Sequence, residues 1–195
     1  MHTVSKGIKI GLTGSIASGK STALSCFKDH GFHIFSADEA VSQLYKNDEF
    51  ISLISDRFPK LITDKMIDKF KLIEALKDHD FHSEYIQCVH HEVLLKMLDF
   101  LETNECQPCV CEVPLLYEVG WQQYFDEVWC IGVSDEISHQ RALHRGMSNE
   151  TYQFLKQHQW SIEEKKIYAD VFIENNATQR EFYNHLSTLI KERLT

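Results

Sequence analysis

The residues best suited to chemistry lie near the amino end, in Gly14-Ser15-Ile16-Ala17-Ser18-Gly19-Lys20-Ser21-Thr22. Two glycines separated by four residues and followed by Lys-Ser fit the P-loop pattern. Glycine lets successive backbone N–H groups turn inward around phosphate oxygens, and the helix that opens next adds a favourable dipole. Lys20 is placed to neutralise the β- and γ-phosphates, and the Ser21 hydroxyl to ligate Mg²⁺. The pattern predicts a nucleoside triphosphate site but does not name a reaction.

Three further sets can complete one. Ser36-Ala37-Asp38 follows a short apolar run; a carboxylate there accepts a proton from an attacking hydroxyl or supports Mg²⁺, or caps a helix. Cys109-Val-Cys-Glu112 resembles a Walker B strand, an apolar run ending in an acid. Glu112 is therefore a candidate to hold a magnesium-bound water, or else a structural ion-pair partner. Arg141 and Arg145, at i and i+4, share one helical face. Guanidinium groups closing on a transferred phosphoryl stabilise its charge, although a solvated charged face has the same spacing.

The elements that position these residues alternate. Ile8 to Leu12 reads as a buried strand, Ser21 to Lys28 as a helix, Phe32 to Phe35 as a second strand, and Glu39 to Tyr45 as a helix capped by Ser36 or Asp38. Residues 48 to 104 break the pattern, with no convincing strand and several helical stretches, clearest from His82 to Leu101. Strands resume at Cys109 to Val113, Glu127 to Val133 and Asp170 to Glu174. Between them lie a helix from Asp135 to Arg145 and a polar helical stretch over 146 to 166, and an amphipathic helix over 177 to 193 closes the chain. Five strands separated by helices predict an α/β fold: a parallel, doubly wound sheet with helices on both faces. In such a sheet ligands bind outside the carboxyl ends of the strands, which puts Asp38 and the glycine-rich loop on one edge.

At 195 residues the chain is expected to fold as one domain. Its 43% hydrophobic content marks a folded chain. With 29 acidic against 20 basic residues and a net charge of −9, nucleic acid is not the expected partner. No apolar run reaches 18 residues, and Met1 to Lys6 lacks a signal-peptide core, so a cytoplasmic protein without a membrane partner is expected. Cys106-Gln-Pro-Cys109 has the spacing of zinc and redox sites, but no second pair accompanies it and it precedes a strand. Six reduced thiols, several of them buried, are the expectation.

Leu12 to Thr22, Ala37-Asp38, Pro114-Leu115-Leu116-Tyr117-Glu118, Arg141 with Arg145-Gly146, and Ala169-Asp170-x-x-Ile173-x-Asn175 occur in this order. Together they resemble the dephospho-coenzyme A kinase family over nearly the whole chain. The resemblance implies ATP- and Mg²⁺-dependent phosphorylation of the 3′-hydroxyl of the dephospho-coenzyme A ribose, the last step of coenzyme A synthesis. It implies Asp38 as general base and residues 48–104 as the coenzyme A-binding subdomain, with His90 at a family histidine. Residues 146–166 correspond to the lid, and 1–47, 105–145 and 167–195 to the nucleotide-binding core. It places Asn175 beside the adenine of ATP, and Leu115, Leu116, Tyr117 and Glu118 at the acceptor. The chain departs from the family at Ser36, where an aspartate is frequent, and at Glu112, where a shorter acid is usual. It departs again at His91 and at Lys69 after Asp68, where the family has proline and arginine.

The residues alone also allow a kinase of another nucleotide or small hydroxyl compound. A nucleotide-dependent switch is a third possibility, but no Asn-Lys-x-Asp guanine motif accompanies the loop.

Overall fold

A computed structural model of the chain describes residues 7–76 and 78–194. Met1 to Lys6 and the Lys69 side chain, both part of the expectations above, lie outside the described residues.

Five strands form one parallel sheet: β1 (Lys9–Gly14), β2 (His33–Ser36), β5 (Cys109–Glu112), β6 (Glu127–Gly132) and β7 (Val171–Glu174), in the order β2-β5-β1-β6-β7. β1 is central, pairing Leu12 with Glu112 on one side and with Trp129 on the other. The chain runs from β1 to β2 on one side and from its neighbour β6 to β7 on the other, so the loop after β1 sits at the switch point where open α/β sheets bind ligands. Central strands buried on both faces read as near-continuous apolar runs, which is why β1, β5 and β6 are readable from sequence.

Helix α1 (Lys20–Asp29) and α9 (Gln179–Leu194) share a core with one face of the sheet: Phe27, Trp129, Ile131, Ile173, Phe182, Leu186 and Ile190. The Phe27 and Trp129 rings meet edge-on at 5.2 Å, the geometry their quadrupoles favour. The motif residue Asp170 pins β7 to β6: its Oδ2 accepts from Val128 N at 2.7 Å, and its own N–H donates to the Val128 carbonyl at 2.9 Å.

The chain divides into two compact units, one running to Phe35 and resuming at Leu101, the other Ser36–Phe100. The second unit therefore begins at Ser36, ahead of residue 48. It contains α2 (Ala37–Leu44), α3 (Asp48–Arg57), α4 (Lys69–Ala75) and most of α5 (His79–Thr103). Phe50, Ile54, Phe58, Tyr85, Val93 and Met97 are buried in it, with the Phe58 and Tyr85 rings edge-on at 5.9 Å. One expectation is corrected here. Residues 48–104 are not strand-free, because β3 (Ile62–Thr63) and β4 (Met66–Ile67) pair antiparallel. The turn residues Asp64 and Lys65 adopt φ of 50° and 61°. Such turns usually advertise themselves with glycine or Asn-Gly; here they do not, so the hairpin was silent in the sequence. Asp68 then caps α4 through Phe70 N and Lys71 N and also accepts from Thr63 Oγ1.

Helices α6 (Asp135–His144), α7 (Asn149–Gln157) and α8 (Ile162–Tyr168) lie between β6 and β7. The polar stretch over 146–166 is thus two short helices, each started by a serine cap, Ser148 and Ser161.

Candidate active site

The glycine-rich loop joins β1 to α1. Gly14 and Gly19 take φ of 153° and 102°, and Ala17 joins them in the left-handed region at 53°. A side chain is excluded at both glycines: a Cβ on Gly14 would lie 2.2 Å from the Ile131 carbonyl, and one on Gly19 2.4 Å from Asn175 Nδ2. The alternation of conformations turns backbone N–H groups to one side, the concavity that binds anions. Lys20 Nζ donates to the carbonyls of Ser15 (2.9 Å) and Gly14 (3.3 Å), which holds its ammonium over the loop. Ser15 and Ser18 each bury a hydroxyl oxygen with no hydrogen-bond partner among the described residues. A buried polar group left so is costly, and in a loop of this shape a phosphate oxygen is the acceptor that fits the Ser15 hydroxyl. Ser21 and Thr22 follow in the first turn of α1, with Ser21 exposed. Glu112, 5% exposed, ends β5 in register with Leu12. A hydroxyl and a carboxylate are the hard oxygen donors that Mg²⁺ takes, with phosphates and water completing its shell, so both residues fit the ion.

The loop is braced from three directions. Asn175, 4% exposed at the end of β7, donates from Nδ2 to the Ser18 carbonyl at 2.7 Å. Ser138 Oγ on α6 donates to the Ile16 carbonyl at 2.8 Å, and receives in turn the Tyr152 hydroxyl of α7 at 3.1 Å. Ser15 N donates to the Ile131 carbonyl of β6. Asn175 thus serves the loop backbone through Nδ2, while its Oδ1 is buried with no hydrogen-bond partner among the described residues. Neither Ser138 nor Tyr152 was singled out in the sequence; a lone serine inside a charged helix gives no signal.

The two arginines part ways. Arg141 donates through Nη1 and Nη2 to the carbonyls of Asn175 (3.1 Å) and Ala177 (3.0 Å), which fastens α6 to the turn after β7. Arg145, at the carboxyl cap of α6, is exposed and has no side-chain partner among the described residues. Arg145 thus has its whole guanidinium uncommitted, whereas Arg141 spends N–H donors of Nη1 and Nη2 on bracing that turn.

Pro114 to Glu118 form the turn after β5. Leu116 is fully buried against Gly11 and is core, not an acceptor contact. Leu115 is half-buried. Tyr117 stacks on Trp160 at 5.8 Å, and burial holds its phenol protonated well above the ordinary range. Glu118 pairs with Lys165, whose side chain is wholly buried, at 2.9 Å. A cavity of about 480 Å³ opens beside the loop, lined by Ser15, Ile16, Ser134, Lys156, Lys166 and Glu174 among others.

In the other unit, the Ser36 hydroxyl accepts from Glu39 N at 3.4 Å, so Ser36, not Asp38, caps α2. Asp38 is left exposed in the first turn, two residues beyond β2. His90 is half-buried on α5 and His91 exposed. All six cysteines are free; Cys109 is buried and takes a contact from Lys9 Nζ at 3.5 Å, and Cys106 is exposed.

A central-strand P-loop in a β2-β5-β1-β6-β7 sheet defines a P-loop nucleotide-binding kinase fold. Solved structures share it: a Thermus thermophilus protein superposes with a TM-score of 0.83 at 25% identity, covering 98% of this chain and 100% of that one. Dephospho-CoA kinase from Campylobacter jejuni gives 0.66 at 24% identity (95% and 97%), and shikimate kinase from Acinetobacter baumannii 0.57 at 13% (97% and 96%). In sequence, residues 8–181 match the profile of the dephospho-CoA kinases. The dephospho-CoA kinase of Bartonella quintana is 32% identical, covering 95% of this chain and 97% of its own, and that of Bartonella henselae 36% identical (85% and 87%). The chain belongs to the dephospho-CoA kinase family.

Proposed function

We propose that this chain phosphorylates the 3′-hydroxyl of dephospho-coenzyme A at the expense of ATP, giving coenzyme A and ADP, the closing step of coenzyme A synthesis. The observation that carries the reading is the braced P-loop, with the Lys20 ammonium held over it, in a chain whose residues 8–181 match that family.

The roles follow from the chemistry of each side chain. Loop N–H groups from Ser15 to Thr22 and the Lys20 ammonium bind the donor phosphates and stabilise charge that develops on them. Ser21 and Glu112 would hold Mg²⁺, which would supply neutralisation of the phosphate oxygens. Asp38, exposed at the helix start after β2, orients the acceptor hydroxyl and takes its proton. Arg145, with its guanidinium uncommitted, closes on the transferred group. The segment 146–166 acts as the lid that excludes water, anchored at its α8 end by Lys165, and residues 48–104 with His90 carry the acceptor nucleotide, Tyr117 and Glu118 bordering it. No described helix is long and apolar enough to cross a membrane; we place the enzyme in the cytoplasm.

The test is a side-by-side assay of ATP turnover with dephospho-coenzyme A, adenosine and nucleoside monophosphates. Turnover that requires dephospho-coenzyme A is expected. Absence of that activity, with another hydroxyl acceptor turned over, would reject the reading.

A further inference from the structure

Lys165 stands in a run of charged residues, Glu163-Glu164-Lys165-Lys166, yet its side chain is 0% exposed. Lysine is almost never fully buried unless paired, because removing an ammonium from water costs several kcal/mol. Its Nζ donates to the Pro114 carbonyl at 2.7 Å and to Glu118 Oε1 at 2.9 Å. Both partners are shared. The Pro114 carbonyl also accepts from Thr13 Oγ1 at 3.1 Å, and Thr13 is the residue immediately before the P-loop. Glu118 Oε1 also accepts from Trp160 N at 2.8 Å, just ahead of the Ser161 cap of α8. The second carboxylate oxygen, Oε2, is buried with no hydrogen-bond partner among the described residues. A continuous chain of contacts, buried at Lys165, therefore runs from the start of the P-loop through the turn after β5 to both the foot and the body of α8. Cys130, opposite Thr13 in β6, lies within reach of these charges. Burial pushes its thiol up to about 12, while Lys165 and Lys20 pull it down and Glu118 adds to the rise.

We propose that Lys165 is a positioning residue for phosphoryl transfer: its ammonium fixes the acceptor-side turn Pro114–Glu118 and helix α8 to the start of the P-loop. The assignment rests on the kinase reading above. A hydrophobic residue would fill the same volume at no electrostatic cost, and replacing buried ion pairs in that way is frequently neutral or stabilising. A buried charge that holds α8 to two points of one turn, one of which also takes the Thr13 hydroxyl, fixes their mutual geometry. Transfer reactions are sensitive to that geometry, since a 1 Å misplacement can cost about a hundredfold in rate. Lys165 acts through these segments and not by contact with a reacting atom.

The experiment measures Tm and steady-state kinetics with ATP and dephospho-coenzyme A for the wild type, Lys165→Met and Lys165→Met/Glu118→Gln. The single variant leaves Glu118 buried beside an apolar chain and should lose about 10 °C in Tm. The double variant removes both charges and keeps an acceptor for Trp160 N, so Tm should return most of the way. Its kcat should nevertheless stay at least about tenfold down with a raised acceptor KM, while the ATP KM moves less than about threefold. Recovery of wild-type kcat and KM together with Tm would overturn the proposal and leave the pair purely structural. Should neither variant fold, Thr13→Val decides: lost turnover that Thr13→Ser recovers supports the chain of contacts, and unchanged turnover overturns it. Wild-type turnover reports separately on the kinase reading, since its absence would reject that reading before any variant is compared.

Discussion

Asn175 Nδ2 donates to the Ser18 carbonyl at 2.7 Å, and this one contact ties the end of β7 to the middle of the phosphate-binding loop. Ser18 and Asn175 are 157 residues apart and both buried. The same amide nitrogen occupies the space a side chain on Gly19 would need, so loop conformation and Asn175 specify each other. Asn175→Asp removes the donor and sets a carboxylate against a carbonyl. It should raise the ATP KM at least about tenfold and lower Tm, since a buried acceptor left unpaired costs about 1–3 kcal/mol. Asn175→Ala should be milder because it adds no repulsion. Calorimetric ATP titration of both variants checks the order, and an Asp variant that binds ATP like the wild type removes Asn175 from the loop's support.

That contact also shows what was legible beforehand and why. The motif ending in Asn175 could be read, as could the loop and all five strands, because apolar runs and glycine spacing are local signals. The partner of Asn175 could not, because it is set by how β7 lies beside β6 in the sheet. Lys165 illustrates the same limit. Its charged neighbours suggest solvent, but the Ser161-x-x-Glu164 capping box fixes the phase of α8. Ile162, three residues before Lys165 and therefore on the same side, packs toward Gly132. The hairpin Ile62–Ile67 was hidden for a different reason, its left-handed turn being made by Asp64 and Lys65 instead of glycine.

The relay Tyr152–Ser138–Ile16 predicts coupling between α7 and the loop. Ser138→Ala frees the Ile16 carbonyl and should cost about tenfold in kcat/KM for ATP, the scale of one lost hydrogen bond to a positioned group. Tyr152→Phe acts through Ser138, so its smaller effect should vanish in the Ser138→Ala background. A double-mutant cycle on kcat/KM reads this directly, and additive effects would mean that the tyrosine works by another route.

Lys20 and Asp38 should separate in their kinetic signatures. Lys20→Ala removes charge stabilisation at the phosphates and should reduce kcat by about 10²-fold or more. Asp38→Asn keeps the size of an exposed side chain in the first turn of α2, so ATP affinity should barely change while turnover collapses. Rapid-quench single turnovers with saturating ATP distinguish the two, and wild-type chemistry in the Asp38 variant would strike it from the mechanism.

Acid should loosen α9 through Glu127. Its carboxylate accepts from Arg193 Nε and Nη2 at 3.2 and 3.1 Å and from Trp129 Nε1 at 2.8 Å. Burial raises its pKa, but the guanidinium and the indole N–H outweigh that and hold it below the ordinary glutamate value. The sign follows from linkage. A carboxylate with a depressed folded pKa contributes stability above its unfolded pKa, about 4.3, and loses it as pH falls through the folded value. The caps Glu164 and Glu181, lowered by hydrogen bonds from Ser161 and Thr178, act in the same direction. Tm should therefore vary little with pH on account of these groups between about 7 and 5, and fall below about 4.3 as they are protonated. Glu127→Gln should start a few degrees lower and fall less steeply, so that its curve approaches that of the wild type in acid. Thermal melts at closely spaced pH values test this, and parallel curves for the two proteins would assign the acid loss to other groups.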